Sequence, residues 1–278
     1  HILQQDNRKT VTTAFLLQAL AVADTLVLLF AVPLYVLPPV FPYTGYLGQY
    51  YALYLDIVAY LWPCYQIPFT GTIYLTVLVS INRYCVVCRH VKGTASHILT
   101  KARRHVIYIT VFSVLYNIPR FFEYNKVEVC SGFNQSQMGF EISAFGDNMF
   151  YRIIYSNIMY FVFLMGGPLL ALIFLNANLI RALKTRQRRR VDMGKSYNPQ
   201  QDMTLVLIVI ICVFIFCQTP TFIDHILWTA VDESLRMCGH WHYYYTAVGD
   251  MFSIFNSAVN FLIYVMTSQR FRENQAWL

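Results

Sequence analysis

Six long apolar runs, separated by short polar stretches, constrain this chain more than any other feature of its sequence. The runs cover about 11–37, 53–87, 106–122, 151–183, 203–231 and 243–266. A membrane helix needs about 20 consecutive apolar residues, and these runs lack the alternation of soluble amphipathic helices. Charged residues make up 13% of the chain, against roughly 25% in a soluble protein. The sequence therefore predicts an all-α transmembrane helical bundle that forms a single domain, 1–278.

The distribution of charge predicts an orientation for these helices. The net charge is +7, but the basic residues do not share one soluble face, as nucleic-acid binding would require. They flank the early runs and fill the stretch that holds Arg188, Arg189 and Arg190, whereas the alternate loops hold few basic residues and several acidic ones. Because basic loops stay in the cytosol, we expect cytosolic basic loops that contact membrane lipid, and no nucleic-acid partner.

Polar groups inside the runs mark positions that apolar packing does not explain. Asp24 lies within the first run and Arg83 near the end of the second. A charge at membrane depth is costly and is usually paired or functional. Asn256, Asn260 and Tyr264 follow one another at intervals of four residues, so they share one helix face. These residues predict a polar network inside the bundle.

The ends of two runs carry motifs of a known family. The second run ends in Asn82-Arg83-Tyr84, and the last run ends in the sequence from Asn256 to Tyr264. These endings resemble the rhodopsin-like G-protein-coupled receptors, whose third helix ends in Glu/Asp-Arg-Tyr and whose seventh carries Asn-Pro-x-x-Tyr. The resemblance implies a seven-helix receptor fold in the plasma membrane, with family helices two to seven present as the six spans.

The first residues of the chain indicate where the first helix of that seven-helix fold would end. Leu20-Ala21-Val22-Ala23-Asp24 is similar to the Leu-Ala-x-x-Asp of the family's second helix. We therefore expect His1-Ile2-Leu3 to be the end of a first helix and the chain to be a fragment truncated before residue 1. A protein with six helices is the alternative.

Further motifs narrow the resemblance. The string Asn117-Ile118-Pro119-Arg120-Phe121-Phe122-Glu123, the pair Cys217-Gln218 and the string Asn260-Phe261-Leu262-Ile263-Tyr264 together resemble the invertebrate FMRFamide-type neuropeptide receptors. This resemblance implies an extracellular amidated peptide as ligand and a heterotrimeric G protein as partner. The sequence departs from the wider family where Asn82 replaces an acid, Gln218 a tryptophan and Phe261 a proline. Without an acid beside Arg83, we expect a weaker resting lock and measurable basal signalling.

The resemblance also assigns functional residues in three groups. The positions of the ligand pocket correspond to Tyr65, Gln66, Phe69, Tyr160, Phe222, His225, Thr246 and Asp250. The positions around a sodium ion, an allosteric modulator in the family, correspond to Asp24, Thr72, Asn256, Ser257 and Asn260. The positions of G-protein coupling and the helix switch correspond to Asn82, Arg83, Tyr84, Pro220 and Tyr264. A polar network without an ion is the alternative for the second group, and no other cofactor is expected.

Asp250 is the clearest acid among the pocket positions. A peptide end with an arginine, an aromatic ring and an amide would supply a guanidinium for Asp250 and a ring for the aromatic residues. In the alternative, the aromatic residues only pack the bundle and Asp250 pairs with a cation from a loop.

The segment 124–150 carries two sites of covalent modification. Relatives tie this loop to the third helix by a disulfide, which implies Cys64–Cys130 here; Cys130–Cys238 and a free thiol are the alternatives. Asn134-Gln135-Ser136 is a sequon for N-glycosylation, and its predicted extracellular position makes it usable.

Other classes of protein fit less well. The sequence has no hydrolytic triad, phosphate-binding glycine loop or acid/base pair, so we predict that it is not an enzyme. Cys238, His240 and His242 form too weak a pattern to predict a metal site. A transporter would also carry an intramembrane acid such as Asp24, but the ending at Arg83 and the basic loops favour a receptor. A rhodopsin-like receptor for another kind of ligand is the remaining alternative.

Overall fold

The computed structural model describes residues 2–88, 95–131, 135–192, 199–230 and 240–275. In order along the chain, its α-helices are α1 (Ile2–Ala31), the short α2 (Val40–Thr44), α3 (Gly48–Cys88), α4 (Ala95–Asn117), α5 (Gly167–Asp192), α6 (Pro199–Ala230) and α7 (Trp241–Gln275). Side chains are described in these ranges except at 2–10, 42, 95–97, 128–139, 186–187, 189–207, 228–230 and 261–275. The predicted all-α helical bundle is confirmed.

Long apolar stretches explain why these helices form and what surrounds them. Four helical segments in the described part are long and apolar enough to cross a membrane: Val11–Val36, Gly48–Cys88, Tyr151–Thr185 and Ile208–Leu227. Their outward faces carry large apolar side chains such as Leu29, Phe174 and Phe216, which suit a hydrocarbon environment. α4 is more polar because Lys101 and Arg103 lie near its start.

Helix α3 lies at the centre of the bundle. It packs against α1, α4 and α5, and its buried side chains run from Pro63 to Val87. The largest hydrophobic cluster joins Phe69 of α3 to side chains of α1, α5 and α6, among them Val27, Leu172 and Phe214. A helix that is apolar on all sides is expected at such a central position. Because α3 crosses the bundle centre, it contributes Tyr65 and Gln66 to a site toward one end and Asn82-Arg83-Tyr84 to a site at the other end.

The chain before α5 is wound as a π-helix, Tyr151–Gly166, and the N–H of Gly167 bonds to the carbonyl of Val162, five residues earlier. A π-turn contains more residues than the 3.6 of an α-turn. Tyr151, Tyr155 and Tyr160 follow one another at intervals of four and five residues, so the π-helix turns all three toward the bundle. A shorter π-helix, Val32–Val36, follows α1.

A β-hairpin that the sequence analysis did not predict covers one end of the bundle. Strand β1 (Tyr124–Ser131) pairs antiparallel with β2 (Gln135–Ile142). The Lys126 ammonium lies 2.8 Å from the Asp56 carboxylate of α3, which joins the hairpin to the bundle. Gly146 lies directly beneath the base of the hairpin, where a Cβ atom would approach the Glu123 carbonyl oxygen to 2.4 Å. We refer to this end as the hairpin end, and to the end of α3 with Asn82-Arg83-Tyr84 as the triplet end.

The disulfide implied between Cys64 and Cys130 is not formed, because Cys64 has a free thiol. Strand β1 meets α3 at Asp56, and Cys64 lies eight residues further along that helix, about 12 Å away at the rise of an α-helix. The hairpin thus contacts α3 two turns from Cys64. The side chain of Cys130 and the whole of Cys238 lie outside the described residues, so the other pairing and the free Cys130 thiol stay predictions.

Candidate functional site

One wall of the space at the hairpin end is formed by aromatic side chains of α3 and the segment after α1. Tyr65 stacks on Phe69 with ring centroids 5.8 Å apart, and Tyr35 packs edge-on against Tyr65 at 5.4 Å. Tyr65, Phe69 and the amide side chain of Gln66 are all buried. Three of the predicted pocket residues therefore lie together, and Tyr35 is an addition that the sequence analysis missed.

A second wall is formed by the π-helix and α6. The ring of Tyr160 lies 4.3 Å from that of His225, and Phe161 lies 5.5 Å from Phe222. Tyr160 is buried, whereas His225 and Phe222 are half-buried. These contacts bring a further three predicted pocket residues to the same end of the bundle.

Two carboxylates stand at the meeting of these walls. Asp250 of α7 lies within electrostatic range of the hydroxyl groups of Tyr35, Tyr65 and Tyr160. Asp224 of α6, which the sequence analysis did not select, lies within range of Asp250. Two neighbouring acids make this part of the site strongly attractive to a cation.

The two acids differ in their internal partners. The Thr246 hydroxyl donates to Asp224 Oδ1 over 2.8 Å, and His242 Nε2 lies 3.6 Å from the same oxygen. No hydrogen bond or ion pair to the Asp250 carboxylate occurs among the described residues. Thr246 therefore positions the Asp224 carboxylate, while the Asp250 carboxylate remains available to a ligand.

Hydrogen bonds also tie α6 to α7 close to these acids. The Thr221 hydroxyl donates to the Gly249 carbonyl over 3.1 Å and lies 2.9 Å from the Ser253 hydroxyl. The Tyr245 hydroxyl donates to the carbonyl of Pro220, the proline inside α6, over 3.2 Å. The predicted switch proline is thus linked directly to α7.

A buried cation lies beside the tyrosines of the π-helix. Arg120 lies in a 3₁₀-helix, Ile118–Phe122, that follows α4, and only 8% of its surface is exposed. Its guanidinium carbon lies 5.7 Å from the ring centre of Tyr155 and 5.4 Å from that of Tyr160. In the sequence, Arg120 stands out only as part of a motif, and it is not among the predicted site residues.

The acid nearest to Arg120 is Glu123, which lies in the turn outside the helices. Glu123 Oε2 is 3.9 Å from an Arg120 terminal nitrogen, which is longer than a hydrogen bond. Burial raises the pKa of the Glu123 carboxyl, and the charge of Arg120 opposes part of that rise. The two side chains are neighbours, but no hydrogen bond joins them.

A polar cluster lies deeper in the bundle, between α1 and α7. Asn260 Nδ2 donates to Asp24 Oδ2 over 3.1 Å, and Ser257 lies close to the same carboxyl group. Asn256 is buried beside them. The Thr72 hydroxyl instead donates to the Phe69 carbonyl of its own helix, over 2.8 Å. Four of the five predicted residues thus lie on facing helices, and Thr72 is engaged locally.

Three oxygen atoms of this cluster fit the requirements of a sodium ion. Asp24 Oδ1, Asn256 Oδ1 and Asn260 Oδ1 are buried and accept no hydrogen bond from any residue the structure describes. Buried acceptors normally find a partner, and hard cations take carboxylate and amide oxygens as ligands. The residues present therefore suit a bound cation.

At the triplet end, Asn82 and Arg83 point in different directions. Asn82 Nδ2 donates to the Thr13 hydroxyl of α1 over 3.2 Å, whereas Arg83 is 4% exposed. Tyr84 is half-buried. The side chain of Tyr264 lies outside the described residues.

The comparison with known families identifies the class of protein. Residues 1–264 match the 7 transmembrane receptor (rhodopsin family). The chain therefore belongs to the rhodopsin family of seven-transmembrane receptors. It is a multi-pass protein of the plasma membrane and not an enzyme.

Curated relatives narrow the similarity to receptors for neuropeptides. The chain is 27% identical to the FMRFamide receptor of Drosophila melanogaster over 93% of its own length and 46% of that protein. It is 24% identical to the FMRFamide peptide receptor frpr-18 of Caenorhabditis elegans, over 95% of its length and 60% of that protein. Identity to the sex peptide receptor of Drosophila melanogaster is 25%, over 94% and 63%. The chain thus spans about half to two thirds of the length of these relatives.

Proposed function

We propose that this receptor binds an extracellular amidated peptide of the FMRFamide type at its hairpin end and activates a heterotrimeric G protein at its triplet end. The basic residues between Arg181 and Arg190 lie on the last part of α5, an end that this orientation places in the cytosol. The same orientation turns the hairpin and the two pocket walls toward the peptide. The names of the relatives, which are receptors for FMRFamide and other neuropeptides, support the class of ligand.

The observation that carries the proposal is the position of Asp250 against the aromatic walls. Its carboxylate lies within electrostatic range of the hydroxyls of Tyr65 and Tyr160, whereas the neighbouring Asp224 already accepts from Thr246. A peptide with an arginine next to a C-terminal aromatic amide supplies a guanidinium for Asp250 and a ring for the tyrosines. Charge-assisted hydrogen bonds of this kind are among the stronger polar contacts, and aromatic side chains are frequent binding anchors.

Charge exchange on both partners tests the proposal. Binding of FMRFamide and of its citrulline analogue is measured on membranes that carry the wild type or Asp250→Ala. We expect Asp250→Ala to weaken the arginine peptide at least tenfold, as for the loss of a buried charge pair, and the citrulline peptide much less. Equal losses for both peptides would mean that Asp250 does not bind the arginine.

Asp224→Asn is the matched control, because it removes the charge of an acid that has internal partners. We expect the ratio of the two peptide affinities to change less in Asp224→Asn than in Asp250→Ala. Peptide-stimulated nucleotide exchange on a G protein tests the signalling half of the proposal and separates it from the transporter alternative, which requires substrate flux.

A further inference from the structure

Arg120 remains unexplained by the proposed contacts of Asp250. Its guanidinium is more than nine-tenths buried, and burying a charge is costly unless hydrogen bonds and an opposite charge compensate it. An arginine that only anchored the end of α4 would extend its charged group into water. Arg120 instead turns inward, toward Tyr155 and Tyr160.

The internal partners of Arg120 leave part of its donor capacity unused. The Tyr155 hydroxyl donates to the Tyr116 carbonyl and can accept from the guanidinium. Glu123 is too distant for a hydrogen bond, at 3.9 Å. Arg120 Nε has no hydrogen-bond partner in the described part of the chain. Since an arginine has five N–H donors, a further acceptor can bind here.

Tyr160 connects this cation to the acidic side of the pocket. Its ring lies 5.4 Å from the Arg120 guanidinium carbon and 4.3 Å from the His225 ring, and its hydroxyl lies within electrostatic range of Asp250. The pocket therefore has a negative side at Asp250 and a positive side at Arg120, with an aromatic ring between them. A ligand with a cation at one point and an acceptor oxygen at another is complementary to this arrangement.

We propose that Arg120 and Glu123 together bind the C-terminal carboxamide of the peptide and distinguish it from a free carboxylate. Arg120 donates to the carboxamide oxygen, and Glu123 accepts from the carboxamide NH2. This inference rests on the proposed function, because it assumes an amidated peptide in the pocket. Asp250 would bind the arginine of the peptide, and Arg120 with Glu123 would bind its terminal amide.

The chemistry of the pair explains why an amide is preferred over an acid. A primary carboxamide has both an acceptor and two donors, so it can satisfy Arg120 and Glu123 at once. A carboxylate has only acceptors and carries a charge that Glu123 repels. Like charges brought close together in a binding site disfavour the wrong partner strongly.

Three probes and two variants test the proposal on membranes that carry the full-length receptor. The probes are FMRFamide, the same peptide with a free C-terminal carboxylate, and Phe-Met-Arg-phenethylamide, which lacks the carboxamide altogether. The first variant is Glu123→Gln. We expect the wild type to prefer amide over acid, and Glu123→Gln to reduce that preference about tenfold, the size of one lost repulsive contact. The change should come from tighter binding of the free acid, a gain that misfolding cannot produce.

The second variant, Arg120→Gln, separates direct contact from an effect on folding. It should weaken FMRFamide about tenfold or more and leave the phenethylamide analogue nearly unchanged, because that analogue lacks the terminal carboxamide oxygen that Arg120 would bind. An unchanged ratio of amide to acid in Glu123→Gln, or equal losses for all probes in Arg120→Gln, would overturn the carboxamide site alone. If none of the probes binds the wild type, the proposed function itself is wrong and this inference falls with it.

Discussion

The side-chain amide of Asn82 on α3 donates a hydrogen bond to the hydroxyl of Thr13 on α1, across 3.2 Å. Related receptors have an acid at the position of Asn82, next to the arginine of the triplet. Here the neutral amide holds a neighbouring helix and supplies no charge to Arg83. The Asn82–Thr13 hydrogen bond thus joins α3 to α1 at the triplet end.

Removal of that hydroxyl should raise basal signalling. Thr13→Val deletes the acceptor, and a hydrogen bond of this kind contributes about 1 kcal/mol, so nucleotide exchange without peptide should increase up to about fivefold. Thr13→Ser keeps the hydroxyl and should behave as the wild type. Basal exchange that is the same in Thr13→Val and wild type would show that this contact does not hold the resting state.

Arg83 should be required for signalling but not for peptide binding. Its guanidinium lies at the triplet end and is 4% exposed, so it becomes available to a G protein only when the helices separate. Arg83→Ala should abolish peptide-stimulated nucleotide exchange, while peptide affinity at equal surface expression changes by less than about threefold. Undiminished exchange would rule out this role for Arg83.

Sodium should lower agonist affinity through Asp24. The cation would bind the oxygen atoms of Asp24, Asn256 and Asn260 that lack internal partners among the described residues, and Asp24→Asn removes the charge that it needs. Peptide competition is measured in sodium and in a large organic cation at equal ionic strength. We expect the sodium effect to vanish in Asp24→Asn and to persist in Ser253→Ala, which alters α7 outside the cluster. An equal effect in all three proteins would indicate a hydrogen-bond network without an ion.

Asn134 should carry an N-linked glycan when the receptor passes through a secretory pathway. The residue lies outside the described part of the structure, so the prediction rests on its sequon and on the orientation proposed above. Treatment with an amidase that removes N-glycans should shift the wild-type band on a gel and leave Asn134→Gln unchanged. A wild-type band that never shifts would count against either the use of the sequon or the orientation.

The helices could be predicted because their signal is local, whereas the hairpin could not. A span of about 20 apolar residues is visible in the sequence without knowledge of its neighbours. The strands Tyr124–Ser131 and Gln135–Ile142 are short and polar, and their pairing is defined by the base of the hairpin at Glu123 and Ser143. Alternation over so few residues does not distinguish a strand from a loop.

The residues of the sites also differ in how far the sequence could predict them. Asp24 and Asn260 are 236 residues apart, and only the resemblance to known receptors associated them before the structure did. Arg120 was not selected because an arginine at the end of a membrane helix normally lies at the interface with water. The π-helix turns Tyr155 and Tyr160 toward Arg120, and no simple sequence rule predicts a π-helix of that length.

The hydrogen bonds that tie α6 to α7 have a consequence for how different ligands act. They join Thr221 to Gly249 and Ser253, and Tyr245 to Pro220, so the two helices should tilt as one rigid body. A peptide that contacts only Asp250 on α7 would then also move α6 near Pro220. Agonists and inverse agonists of this receptor would tilt α6 and α7 in opposite directions. A small molecule bound between the two helices would separate peptide binding from the response.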